Sequence, residues 1–328
     1  MTRRSAVPPP VTAVLDAGSA WLPRQLDAVE TLLGELARTH GPRLAEDATA
    51  TLSAGGKRLR PLLVLLCAGP DGGERAARAG AAVELVHMAT LVHDDVLDEA
   101  PLRRGRPTVA ATSGRARATA TGDLLFAQAF ALLSEAREER AIALLSRASV
   151  GLALGELAQR RDAYDATISE ERYMERCLLK TARLFECACL MGNAAAAVPA
   201  DESELRSFGS EIGLAFQLLD DVLDVSGPPE RTGKARGTDL LDGTVTLPLI
   251  VAARREPSLL EADLRELDAT AAAELCDRVA ASGALEEVRS RALAMVESAK
   301  RRLAAGQFDG ERRRLLGLVA DGVVERYG

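Results

Sequence analysis

The pentapeptide Asp-Asp-Val-Leu-Asp stands twice in this chain, at Asp94–Asp98 and at Asp220–Asp224. Each copy sets carboxylates three and four positions apart, so on an α-helix they lean toward one face. Like charges at that spacing repel. Both copies follow apolar residues, Leu91-Val92 and Leu218-Leu219, a context that does not suit a freely solvated acidic face. A hard, oxygen-seeking divalent cation does suit it, Mg2+ above all. The copies lie 126 positions apart (220 − 94). They therefore belong to separate helices, two acidic walls facing one another across a site.

Helices are what the rest of the chain offers. It is rich in Ala, Leu, Arg and Glu, all strong helix formers, and only 3% aromatic. With 47% hydrophobic residues over 328 positions, it can bury a substantial core. Apolar periodicity, punctuated by Gly and Pro, predicts helices near 11–38, 42–54, 59–68, 73–100, 118–136, 138–161, 169–193 and 201–226. Further helices are expected near 246–255, 258–265, 269–282, 284–305 and 310–326. The fold class is all-α. Gly227–Gly243, with Pro228-Pro229, Gly233 and Gly237, reads as the longest loop. No low-complexity linker divides the chain, which favours a single domain over 11–328 behind a disordered tail at 1–10. No repeat of 20–50 residues suggests a solenoid.

The balance of charge and cysteine narrows the function further. A net charge of −7 argues against a nucleic-acid binder. Cys67, Cys177, Cys187, Cys189 and Cys276 are odd in number and form no CxxC pair, which reads as reduced, buried thiols in a cytoplasmic protein. Asp16 and Gly18-Ser19 interrupt any apolar region behind the N-terminal tail, so no signal peptide is expected. The longest apolar run, Leu62–Ala68, is too short to span a bilayer, and no transmembrane segment is expected.

Four groups of basic and polar residues accompany the acids. Gly55–Pro61 (GGKRLRP) combines glycines that allow close backbone approach with Lys57 and Arg60. It is not a Walker loop, and it fits a solvated basic turn as well as a phosphate site. Arg103-Arg104-Gly105-Arg106 follows the first acidic motif directly. Arginine forks match phosphate oxygens, although an exposed loop pairing with the neighbouring acids fits too. Lys180-Thr181 interrupts an apolar helical stretch, and Lys234 lies in the Gly-rich loop after the second motif. His87 and His93 stand near the first motif, but Mg2+ prefers oxygen and neither is assigned as a ligand. Two acidic walls, Mg2+ between them and cations on the rim describe a diphosphate site. The apolar surroundings give the rest of the substrate a hydrocarbon character.

With these residues in view, the chain resembles a trans-type isoprenyl diphosphate synthase of the polyprenyl synthetase family, in particular its long-chain members. The similarity runs from about Leu52 to the C-terminus. It is carried in order by Gly55–Pro61, Glu84–Thr108, Gly122–Phe130 (GDLLFAQAF), Lys180-Thr181, Gln217–Asp224 (QLLDDVLD) and Gly233–Leu240 (GKARGTDL). The resemblance implies an isoprenoid synthase helical bundle around a central hydrophobic tunnel, usually a homodimer, with possible release of product by peripheral membrane contact. It implies condensation of isopentenyl diphosphate with an allylic diphosphate. Three Mg2+ ions are expected with substrate bound, two at Asp94 and Asp98 and a third at Asp220, with Asp95, Asp221 and Asp224 supporting. Gly56, Lys57, Arg60, His87 and Arg104 would hold isopentenyl diphosphate. Arg103, Lys180 and Lys234 would grip the allylic diphosphate, with Thr181 and Gln217 near its reactive end. One departure stands out: many relatives carry Gly-Lys before the Thr-x-Pro step, and this chain has Gly243-Thr244. A farnesyl or geranylgeranyl diphosphate synthase, a catalytic subunit that needs a partner, and a non-catalytic regulatory subunit are the alternatives.

Product length is read from the helix that carries the first acids. Successive turns lie about 5.4 Å apart. One turn back from Asp94 stand Ala89 and Thr90, then Val86, then Val83, none of them aromatic. In short-chain members a bulky aromatic at the Ala89 or Thr90 position closes the tunnel. The resemblance therefore implies a long product, hexaprenyl to decaprenyl, with Val86, Ala89 and Thr90 on the path to its floor.

Overall fold

The structure, a computed structural model, describes residues 9–18, 21–39, 41–53, 58–103, 105–227, 236–306 and 308–325. The chain runs through α1 (Pro9–Ala17), α2 (Leu22–Leu36), α3 (Pro42–Ser53), α4 (Leu59–Ala68) and α5 (Gly73–Leu97). A two-stranded antiparallel hairpin follows, β1 (Leu102–Arg103) and β2 (Arg106–Pro107), with Leu102 opposite Pro107. Then come α6 (Val109–Ser113), α7 (Arg115–Glu135), α8 (Glu139–Arg161) and α9 (Glu170–Cys177). A π-helical turn, Leu178–Ala182, joins α9 to α10 (Arg183–Ala195), and α11 (Glu202–Ser226) follows. The remainder comprises α12 (Thr238–Leu241), α13 (Leu247–Arg255), α14 (Ala269–Ala281), α15 (Ala284–Ala305) and α16 (Gly310–Glu325).

The position of α5 organises the bundle. Its buried residues, among them Ala76, Ala79, Ala82, Val83, Val86, Ala89 and Val92, surround the helix axis, which marks a helix enclosed on all sides. Small side chains let α2, α4, α7 and α10 all pack against it. α4 is buried without interruption from Pro61 to Ala68. On the far side α11 packs against α10 and α15. One contiguous core runs from Val14 to Val323 among the described residues. Helix starts are fixed by side chains that satisfy otherwise unpaired amides: Ser169 caps α9, Asp201 caps α11 and Asp268 caps α14.

The structure departs from the expected helices where backbone chemistry intervenes. The helix expected over 11–38 is two, because Pro23, without an amide hydrogen, occupies the first turn of α2 and cannot continue an earlier helix. α1 begins at Pro9, inside the stretch expected as a tail; residues 1–8 of that stretch lie outside the described residues. The helix expected over 258–265 is a 3-10 turn, Pro257–Glu261, anchored by buried Leu259. The hairpin, α6 and α12 are too short to leave a periodic signature.

α8 also differs from expectation. Among the described residues it is the helix long and apolar enough, by length and composition only, to cross a bilayer, and a third of that window is buried. Polar residues spaced along it keep it from standing out as an uninterrupted apolar run. It packs against α10 and the π-turn, and it leaves Val150, Leu154 and Leu157 exposed at 58%, 52% and 66%.

Candidate active site

A polar cavity of about 170 Å³ opens where α5, α8, α9, the π-turn, α11 and the segment 239–246 converge. Asp94 and Asp98 line one side, with Arg103 from β1 and Gln159 and Arg160 from the end of α8. Tyr173, Arg176, Cys177, Lys180 and Thr181 come from α9 and the π-turn, Gln217 and Asp221 from α11. Asp239, Asp242, Thr244 and Thr246 complete the opposite rim. The two acidic motifs thus meet at this cavity through Asp94 and Asp98 from α5 and Asp221 from α11, while Asp220 and Asp224 are not among its lining residues.

The first wall divides its aspartates between two duties. Asp95 is buried and accepts a hydrogen bond from Arg103 Nε at 2.7 Å, which ties the hairpin to α5. Asp94 is left partly exposed toward the cavity. Burial raises its pKa above the ordinary carboxylate range, with Glu156 and Asp98 pushing the same way and Lys180 and Arg103 opposing. Asp98 ends α5 and accepts from Arg160 Nη2 at 2.5 Å. Arg160 Nε also donates to Glu156 at 2.8 Å, and Lys180 Nζ lies 2.5 Å from the other Glu156 oxygen. Burial alone would raise Glu156, yet these two cations hold its carboxyl below the usual range. A chain of ion pairs therefore runs from Asp98 through Arg160 and Glu156 to Lys180.

The π-turn delivers Lys180 and Thr181. Single π-turns inside α-helices recur at functional sites because they re-aim side chains. This one is pinched between two glycines. A Cβ on Gly155 would fall 2.5 Å from Lys180 N, and one on Gly213 would fall 2.6 Å from the Cα of Ala182. Thr181 Oγ1 donates to Gln217 Oε1 at 2.7 Å, and Gln217 Nε2 donates to Asp221 Oδ1 at 2.8 Å. The Tyr173 hydroxyl donates to Asp221 Oδ2 at 2.5 Å. Asp221, 1% exposed, is the fixed end of this relay. Burial first, then neighbouring Asp239, pushes its pKa up to about 8.

The other expected residues distribute as follows. Asp220 and Asp224 are half-buried on α11, and Asp224 accepts from the amide of Asp239 at 3.3 Å and, through its carbonyl, from Gly237 at 3.0 Å. Arg60 lies at the start of α4 with its guanidinium 4.6 Å from the centroid of the Phe185 ring. His87 lies on α5, half-buried, its carbonyl accepting from Thr90 Oγ1. Val86 and Ala89 are fully buried and Thr90 partly so. Gly56, Lys57, Arg104 and Lys234 lie outside the described residues. Sequence reasoning missed Glu156, Gln159 and Arg160, although the last two stand three and four positions after Glu156 near the end of α8. It also missed Tyr173, Arg176 and Asp242, which carry no motif that a single sequence reveals, and Asp239, which stands in the Gly233–Leu240 segment but was given no role there.

The donors suit a hard cation. The acids on the cavity offer oxygen only, and among the described residues no three of His, Cys, Asp or Glu close into a cage. Mg2+ keeps much of its water and binds through one or two carboxylates plus substrate phosphates, so open acidic walls fit it.

An all-helical bundle enclosing such a cavity has the isoprenoid synthase fold. Residues 42–280 match the polyprenyl synthetase family model. The chain is 42% identical to heptaprenyl diphosphate synthase component 2 of Geobacillus stearothermophilus over 241 residues, which is 73% of this chain and 75% of that protein. A polyprenyl synthase from Caulobacter crescentus, solved with calcium and isoprenyl diphosphate, superposes with a TM-score of 0.87 at 34% identity, covering 97% and 98% of the two chains. A decaprenyl diphosphate synthase from Rhodobacter capsulatus gives 0.86 at 32% identity, covering 97% and 99%. The chain belongs to the polyprenyl synthetase family. It is a prenyltransferase of the long-chain polyprenyl diphosphate synthase type, from a family whose substrates are isoprenyl diphosphates.

Proposed function

We propose that this enzyme condenses isopentenyl diphosphate with an allylic diphosphate, head to tail and in trans, to a hexaprenyl-to-decaprenyl diphosphate, with Mg2+ as its metal. The observation that carries the reading is the meeting of Asp94, Asp98, Lys180, Thr181 and Gln217 in one cavity. Asp94 and Asp98 would hold two of three Mg2+ ions and Asp220 the third, while Asp95, Asp221 and Asp224 position them. When bound, the metal neutralises charge on the departing diphosphate. Lys180, Arg103 and Lys234 bind the same diphosphate and stabilise it as it leaves. Gly56, Lys57, Arg60, His87 and Arg104 hold isopentenyl diphosphate, which turns an encounter in solution into attack within a preset pair. Thr181 and Gln217 orient the reactive end through their hydrogen bond. The apolar helices behind the cavity exclude the water that would quench an allylic cation. Once the new carbon–carbon bond has formed, the proton lost from the isopentenyl carbon beside the resulting cation, which restores a double bond, passes to the departed diphosphate.

The long product rests on the small, non-aromatic side chains of Ala89 and Val86, one and two turns before Asp94 on α5. The apolar face of α8, with Leu154 and Leu157 exposed, suits a second copy of the chain. The reading is thus of a single-domain homodimer, cytoplasmic, meeting the membrane only to release product. Purified chain incubated with Mg2+, isopentenyl diphosphate and farnesyl or geranylgeranyl diphosphate should yield such products by chromatography, and light scattering of the same sample should give twice the chain mass. Absence of product from every allylic starter would sink the reading for the chain acting alone. The likeness to a protein named component 2 favours one second reading, a catalytic subunit that requires a partner. Activity of the isolated chain decides against it.

A further inference from the structure

We propose that Arg176 is a further binding residue for the allylic diphosphate, supplying a cation to the turn where Thr244 stands. The proposal rests on the diphosphate reading above. Arg176 leaves α9 one turn before Lys180, and Tyr173, Arg176, Cys177 and Lys180 form one stripe along the cavity. The residue is only 3% exposed. Its Nη2 donates to the carbonyl of Val245 at 2.5 Å, and its guanidinium carbon lies 5.4 Å from the centroid of the Tyr173 ring. The other amino group, Nη1, is buried and has no hydrogen-bond partner among the described residues.

An unmatched buried donor on a charged group is costly, and native structures seldom leave one without a reason. Here the guanidinium is anchored on one side and unmatched on the other, in a cavity that also holds Lys180 and Thr181. That is a preorganised donor for an anion that arrives later. The planar fork of arginine suits phosphate oxygens, and burial strengthens the contact. The departure noted in the sequence gives the arrangement its sense. Thr244, on the cavity rim, carries no charge, whereas the resemblance sets lysine there in many, not all, family members. Arg176 bonds the carbonyl of the next residue, Val245, and so brings a cation from α9 to the same turn.

Arg176→Met and Arg176→Lys test this in the full-length chain. Inorganic diphosphate binding is measured by calorimetry with Mg2+, beside steady-state kinetics and thermal unfolding. Arg176→Met should weaken inorganic diphosphate binding and raise the KM for farnesyl diphosphate about tenfold or more, the scale of a lost charge-assisted hydrogen bond. The KM for isopentenyl diphosphate should not move, and Arg176→Lys should recover part of the loss. The midpoint of unfolding should hold or rise in Arg176→Met, because an unmatched buried charge has gone. Unchanged diphosphate affinity with a lowered midpoint would overturn the proposal and make Arg176 only a brace for Val245. Should Arg176→Met fail to fold, Arg176→Lys decides: an intermediate KM for farnesyl diphosphate supports the proposal and a wild-type value overturns it. Failure of the wild-type chain to bind diphosphate or form product would instead count against the function itself.

Discussion

Asp221 and Asp95 do not face the cavity as freely as Asp94 and Asp98, although each motif repeats the same five letters. Asp95 is taken by Arg103, and Asp221 by Tyr173 and Gln217. The motif announced carboxylates and a cation, but the division of duties depends on partners up to 48 positions away, beyond what spacing can show. Glu156 and Arg160 were illegible for a similar reason. An i,i+4 acid–base pair on a helix usually reads as surface decoration, and only the approach of Asp98 and Lys180 makes it part of the site. The raised pKa of Asp221 has a measurable sign. In the folded chain it keeps its proton up to about pH 8, whereas an unfolded aspartate loses it near pH 3.9. The native state then binds more protons than the unfolded state between about pH 4 and pH 8, so stability falls as pH rises through that window. In chelator, urea unfolding of the wild-type chain should show that fall, and Asp221→Asn should flatten it. Equal slopes in the two proteins would remove Asp221 from the account.

At the level of elements, the long helices were legible and the interruptions were not. The spans that carry α5, α8, α11 and α15 follow from periodicity because their buried faces are long. The π-turn was hidden inside a helix expected over 169–193, since an extra residue per turn over five positions leaves the apolar pattern almost unchanged. Its cause is tertiary: α8 and α11 press against it through Gly155 and Gly213. α5 belongs to the opposite case, for its sequence already ordered Ala89 and Val86 below Asp94. Ala89 is fully buried, so Ala89→Phe should block the path below the acids and shorten the product by two or more isoprene units, about 5 Å of hydrocarbon path per helical turn. Overpacking should also cost about 1–3 kcal/mol of stability. Product chromatography decides, and an unchanged chain length would move the floor to another helix.

The molecule as a whole is legible as a class: helix formers, two acid motifs and ordered basic clusters point to an all-α diphosphate enzyme. What remained hidden was the balance of charge inside the site. Arg160 holds Asp98 and Glu156 together, and Lys180 completes the neutralisation. These acids therefore carry their own counter-ions, and the fold does not depend on an ion from outside to quiet their repulsion. In this respect the protein is unlike small zinc domains, which unfold when stripped. Treatment with a chelator should abolish turnover yet shift the unfolding midpoint by no more than about 2–4 °C, the change that about 1 kcal/mol makes in a domain of this size or somewhat smaller. A midpoint that collapsed in chelator would show the opposite dependence. If it holds, the enzyme can be synthesised, purified and stored with no metal supply, fully shaped, and started at will by adding salt and substrate together.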